Sequence, residues 1–356
     1  GPVAALNGAW RTLVKNGVRP DYIIVQDPCP ENVAWFEDAP DDVIYLLASQ
    51  VHPDVFDKLK GKDVRVWHFD GSAERAIGLE PRWEANFTIG CYSLHILYGM
   101  GYRHFDCYGY DSCYSLLGEH HASPQSWNIG TPQPYQVGER MFIAEPWMAA
   151  QVQEFLKQIE TNRYFYTVDV KGDGMLAAAL EHNTLQVLYD LDVAPGSYDF
   201  LCAMVNVENY RKENKYSRAH VHFKAGGDKG FRPHEPIEVE HGYKKVMLNN
   251  VARALLPMFG FTEVPTMDET KALQFQYTPR ESLDLYRATG QMATYRPNEA
   301  AIEWANEHFS DSPFVITLRE AKHWPQRNSK VDEWIRFAKT LPGRVDRATG
   351  EWRLDE

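Results

Sequence analysis

The chain has no apolar run long enough to cross a bilayer and no signal-peptide pattern. It has no C-x-x-C pair. Its cysteines are five (Cys29, Cys91, Cys107, Cys113 and Cys202), an odd number without framework spacing. A disulfide scaffold is therefore not expected, and a reducing compartment, read as the cytoplasm, is. An excess of basic residues is missing too: 37 Lys and Arg stand against 49 Asp and Glu, a net charge of -12. That balance disfavours nucleic acid as a partner. A phosphorylated ligand would need local basic groups or a cation. No internal repeat and no low-complexity tract occurs. A phosphate loop is represented only by a lone G-x-G at Gly172 and Gly174, which reads better as a tight strand-to-helix turn. His120 and His121 have no third ligand at zinc spacing, so no metal site is assigned.

What is present is ordinary globular chemistry, with 44% hydrophobic and 24% charged residues over 356 positions. That length holds two domains, each able to bury a core. Short apolar runs at residues 3–6, 20–25, 42–47 and 64–69 alternate with helical stretches at 9–16, 33–37 and 53–60. Such βαβ alternation predicts a doubly wound parallel sheet. The spacing further predicts a helix from Gly90, a strand over 105–110, a helix over 141–159, a strand over 164–169 and a helix over 175–182. A second α/β unit is expected from residue 183, with strands near 185–192, 218–223 and 314–318.

The most informative stretch runs from Thr88 to Asn128. A helix opened by Gly90, with Ser93 in its first turn, offers free N–H groups to phosphate. Asp111 falls just past the next strand. Ligands of open parallel sheets bind outside the carboxyl ends of strands. Asn7 and Asp27 also follow strands, so they join the same expected crevice or serve as helix caps. One of His120 and His121, in a long polar loop, suits a general base. Both as surface histidines is the plainer alternative. Asp190 and Asp192 form a D-x-D that fits a turn better than a metal site. Arg319 and Arg327 are candidates for a phosphate in the second unit.

Val3-Ala-Ala-Leu-Asn7-Gly8, Pro20-Asp21, Asp27, Thr88-x-Gly90 and Gly109-x-Asp111 occur in one order with His120-His121, Pro124-Gln125, Asn128 and Trp147-Met-x-x-Gln151. As a set these resemble the DUF115 family, which includes archaeal 6-hydroxymethylpterin diphosphokinase-like and glycosyltransferase-associated proteins. The likeness covers roughly residues 1–182. It implies a Rossmann-like nucleotide-binding domain, here without the family's opening strand and Gly-rich turn. The layout is also similar to bacterial sialyltransferases that use CMP-sugars. That resemblance implies that Asn7, Thr88, Gly90 and Ser93, with Asp27 and Asn128, hold the nucleotide. It further implies that His120 or His121 deprotonates an acceptor hydroxyl beside Asp111. Residues 183–356 resemble part of a second Rossmann-like, GT-B-type domain. The implied function is a glycosyltransferase taking a nucleotide-sugar donor and a glycan acceptor. The alternatives are an ATP-dependent diphosphokinase, for which Mg²⁺ would be needed at Asp27 and Asp111, and a non-catalytic nucleotide- or glycan-binding module.

Overall fold

The computed structural model describes residues 1–69, 82–83, 88–115, 131–194, 199–224, 246, 248–278 and 280–291, with short pieces from 293 to 355. The chain divides into two compact units, Gly1–Asn298 and Glu299–Glu356. The first is a mixed α/β unit built on parallel sheets. Among the described residues, the second carries helix Val331–Ala338 and an antiparallel pair, Arg344–Asp346 with Arg353–Asp355.

The first sheet takes its strands in chain order: β1 (Ala4–Leu6), β2 (Tyr22–Val25), β3 (Ile44–Ala48), β4 (Asp63–Phe69) and β5 (Arg82–Trp83). All its pairings are parallel. Ile23, Ile24, Val25 and Leu47 are fully buried, as expected of strands covered on both faces. Helices α1 (Ala9–Lys15) and α2 (Pro53–Lys58) connect the strands, with a 3-10 turn over Pro30–Phe36. Trp10, Phe36, Val55 and Leu59 complete this core.

Helix α3 (Ile89–Gly99) leads to strand β6 (His104–Tyr108), which pairs in parallel with β9 (Thr167–Lys171). Between them lie an antiparallel hairpin, β7 (Gln133–Val137) with β8 (Arg140–Ala144), and helix α4 (Pro146–Asn162). Helix α5 (Met175–His182) follows β9. Helix α3 serves two cores at once. Tyr92 and Ile96 pack with β1–β4, while Cys91 and Leu94 pack with β6, β9, α4 and α5. Each such buried side chain contributes about 1.5–3 kcal/mol.

A third parallel sheet joins β10 (Thr184–Asp190), β11 (Arg218–Lys224) and β12 (Thr262–Glu263), covered by α6 (Asp199–Glu213) and followed by α7 (Arg280–Thr289). A buried ionic cluster fastens α6 to the end of α4. Glu208 accepts from Arg163 at 2.9 Å and from Arg211 at 2.7 and 3.0 Å, and Arg211 also reaches Glu160 at 3.3 Å.

Two expectations are corrected. Residues 140–144 are a strand rather than the start of a helix over 141–159. Pro146 sits at the first helical position, where its fixed φ suits a start and its ring forbids an upstream turn. The strand expected at 164–169 begins only at Thr167, because Phe165 N–H still bonds to Asn162 O and closes the helix. The D-x-D is a turn: Asp190 Oδ1 accepts from Asp192 N–H at 2.8 Å. The strand expected near 314–318 lies outside the described residues.

Candidate functional site

Two contacts orient the site. At the start of β2, the Tyr22 hydroxyl meets that of Tyr102, which lies between the end of α3 and the start of β6, at 3.0 Å. At the other end, Trp67 of β4 lies 5.3 Å from Tyr92 in the first turn of α3. Tyr110, just past β6, packs against Gly90. Helix α3 therefore runs antiparallel to both β1–β4 and β6. Its N-terminus stands at the carboxyl ends of both sheets. A cavity of about 2810 Å³ opens there and runs back between β1 and β6; Asn7, Asp27, Thr88, Gly90 and Asp111 all line it.

Thr88 is the residue before α3 and is extended, with φ -141° and ψ 159°. Its hydroxyl makes no cap bond. It accepts from Gln151 Nε2 at 3.2 Å and leans on Cys91 Sγ at 3.8 Å. The first bonded N–H groups are those of Cys91 and Tyr92, both to Thr88 O. The N–H groups of Ile89 and Gly90 have no acceptor among the described residues and carry the positive end of the helix dipole. A side chain at Gly90 would place its Cβ 2.8 Å from the Tyr110 ring. Ser93 is buried and committed within the fold. Its hydroxyl bonds to Gly90 O at 2.9 Å and to Tyr110 O–H at 3.1 Å. It holds Tyr110 in place at the cavity wall. Burial pushes the Tyr110 phenol above its usual range.

Asn7 ends β1 with φ 47°, a left-handed conformation that asparagine tolerates better than most residues. Its N–H donates to Ile24 O at 2.8 Å, and its Oδ1 accepts from Gln26 N–H at 3.2 Å. Asn7 thus ties the ends of β1 and β2 together. Gln26, beside it, has a buried Oε1 without a partner in the described structure. Asp27 closes its own turn, with Oδ1 accepting from Cys29 N–H at 3.0 Å. That carboxylate, through its bond and with burial, pushes the Cys29 thiol up to about 11.

Asp111 sits where the ends of β6 and β9 meet. Gly174 opens α5 so closely that a Cβ there would lie 2.5 Å from Asp111 Cα. Asp111 O accepts from Leu176 N–H at 3.2 Å. Desolvation raises the Asp111 carboxyl, and the charge of Asp173 raises it further. Arg140 of β8 donates to Asp173 O and stacks 4.9 Å from Phe142. Ser112 follows with φ 52° and a buried hydroxyl that has no partner among the described residues. Backbone strain of this kind collects at binding and catalytic sites.

A second wall is set by Glu145. Its buried carboxylate accepts from the Tyr114 hydroxyl and from Trp147 Nε1 at 2.8 Å. Trp147, Met141 and Ile143 are exposed along the cavity.

The structure thus gathers Asn7, Asp27, Thr88, Gly90, Ser93 and Asp111 around one crevice, with the Ser93 hydroxyl bonded to Gly90 O and Tyr110. His120, His121, Asn128, Arg319 and Arg327 lie outside the described residues. Asp173, Arg140 and Glu145 were missed by sequence reasoning. Asp173 stood in plain view between Gly172 and Gly174. Arg140 stands just ahead of the helix expected over 141–159, where no strand was expected. Among the described residues, no group of three or more His, Cys, Asp or Glu side chains could hold a metal ion. No helix among them is long and apolar enough to cross a membrane. Fold and site together define an α/β protein with a crevice at the carboxyl ends of parallel strands. No family model, curated protein or solved structure matches the chain.

Proposed function

We propose that this chain is a glycosyltransferase-like enzyme of surface glycan synthesis that binds a nucleotide-activated sugar, a CMP-sugar in the leading version, and transfers the sugar to a glycan acceptor. Residues 1–182 act as a Rossmann-like nucleotide-binding domain. Residues 183–356 are read as a second region of Rossmann-like, GT-B type. The five cysteines, all free thiols, favour a cytoplasmic setting.

One observation carries the reading. The N-terminus of α3, with the N–H groups of Ile89 and Gly90 open, points into the crevice that Asn7, Thr88 and Asp111 line. A leaving nucleotide phosphate gains negative charge as the sugar departs, and a helix start with unspent donors stabilises that charge. Acceptor attack needs a base to remove the hydroxyl proton. His120 or His121 fills that role in this reading, and Asp111 orients the acceptor. Asn7 and Asp27 bracket the nucleoside.

A second reading, the ATP-dependent diphosphokinase, is favoured by the closeness of Asp111 and Asp173. Two carboxylates with substrate phosphates and waters suit Mg²⁺. Thermal denaturation with a nucleotide panel, with and without Mg²⁺, separates the two. A ligand that binds only the folded state raises the melting temperature by mass action. Stabilisation by CMP or another sugar-nucleotide product without metal supports the transferase. Stabilisation by ATP only with Mg²⁺ replaces it with the kinase, and no stabilisation by any nucleotide refutes both.

A further inference from the structure

Two glutamines of α4 hold the start of α3. Gln151 and Gln158 are spaced i, i+7 and so share one face of the helix. Gln151 Nε2 donates to Thr88 Oγ1 at 3.2 Å. Gln158 Nε2 donates to Cys91 O at 3.0 Å and to the Tyr166 hydroxyl at 3.2 Å. Their settings differ. Gln158 is buried among core residues. Gln151 is half-buried and lines the cavity together with Thr88. Gln158 is explained by the fold, because a buried amide needs partners. Gln151 spends its donor on a hydroxyl at the cavity wall.

A threonine hydroxyl has one proton to give and two lone pairs, and its proton turns about the C–O bond. With the Gln151 N–H on a lone pair, the Thr88 proton is directed away from Gln151. It goes to Cys91 Sγ at 3.8 Å. A thiol sulfur is a weak acceptor. Burial pushes the Cys91 thiol up to about 11, so the sulfur carries no charge near neutral pH. A phosphate oxygen is a much stronger acceptor, because its bond to a hydroxyl is charge-assisted. Turning the Thr88 O–H from sulfur to such an oxygen leaves the Gln151 bond in place.

We propose that Gln151 is a positioning residue for phosphate binding. It fixes the Thr88 hydroxyl as a donor, so that the Thr88 proton meets a nucleotide phosphate at the start of α3. Gln151 itself does not touch the ligand. This role rests on the reading of the α3 start as the phosphate site, and adds the residue that aims its side-chain donor.

The test is a double-mutant cycle read by calorimetric titration with CMP. The full chain, Gln151→Met, Thr88→Val and the double variant are compared. Thr88→Val should weaken CMP at least about tenfold, the loss of one hydrogen bond to a charged group. Gln151→Met should weaken it about three- to tenfold, and the double variant should bind no worse than Thr88→Val alone. Gln151→Glu gives a second reading if Gln151→Met does not fold. Its carboxylate takes the Thr88 proton itself, so CMP should weaken by more than about tenfold, and by less in the Thr88→Val background. Unchanged affinity in Gln151→Met, or losses that multiply in the double variant, overturn this role and leave the phosphate site standing. Equal losses for cytidine, which lacks the phosphate, overturn it too, because they mark a merely structural residue. No CMP binding by the full chain overturns the phosphate site and this role with it.

Discussion

Gly174→Ala isolates the close approach that fixes the Asp111 loop. Gly174 has φ -68°, so alanine meets no backbone strain. In open space such a change would be neutral or stabilising by about 0.4–1 kcal/mol. Here the new Cβ would lie 2.5 Å from Asp111 Cα, 2.7 Å from its Cβ and 2.8 Å from its O. None of these atoms can rotate aside. Restoring ordinary contact near 3.4 Å moves the loop or α5 by about 0.9 Å, the gap left by the 2.5 Å approach. That shift stretches the 3.2 Å bond from Leu176 N–H to Asp111 O past useful length. Overpacking of this kind costs about 1–3 kcal/mol and the lost bond about 1 kcal/mol, so the expected loss is about 2–4 kcal/mol. Urea denaturation followed by tryptophan fluorescence measures it. A loss under about 0.5 kcal/mol, or a gain, would refute the claim that Asp111 is pinned against the start of α5.

Other outcomes follow from the same geometry. Glu208→Gln leaves Arg163 buried without its counter-ion and Arg211 with only the half-exposed Glu160, and should cost about 3–5 kcal/mol in the urea midpoint analysis; a near-neutral change would mean the cluster is hydrated. His220 is held down to about 3, mainly by burial and then by Arg218. Its unfolded form binds a proton first, so its contribution is complete above about 6.5 and is lost as pH falls toward 3. His220→Gln should therefore flatten the fall in stability between pH 6.5 and 4, and an unchanged slope contradicts the burial. Asp111 has the opposite sign. Its folded carboxyl titrates above the unfolded one, so stability falls as pH rises through that window. Asp111→Asn should remove this fall and, on the proposed function, weaken nucleotide binding as well; loss of binding without the pH effect would separate the two roles.

Much of the first sheet was legible in the sequence because buried parallel strands are nearly continuous apolar runs. Tyr22–Val25 and Ile44–Ala48 are short, unbroken and flanked by turn residues. The helix start at Gly90 was legible for a similar reason, since a glycine there is required by Tyr110. The hairpin was not. Arg140–Ala144 reads continuously into Trp147 and Met148, and only Pro146 marks the break. The site was legible where a polar residue ends an apolar strand, as at Asn7, Asp27 and Asp111. The two hydrogen bonds of Ser93 were not legible, because position in a first turn does not reveal which partners the hydroxyl meets. Asp173 needed the pairing of β6 with β9, a contact between residues about sixty positions apart that local pattern does not carry.

The central claim is that the start of α3 receives a nucleotide phosphate. Amide chemical shifts of the folded protein titrated with CMP test it residue by residue. The account predicts that Ile89 and Gly90 move most, with Thr88 and Asn7 following, and that the shifts saturate together. Shifts confined to other helix starts, such as Met175, or no saturable shift at Ile89 and Gly90, would contradict it.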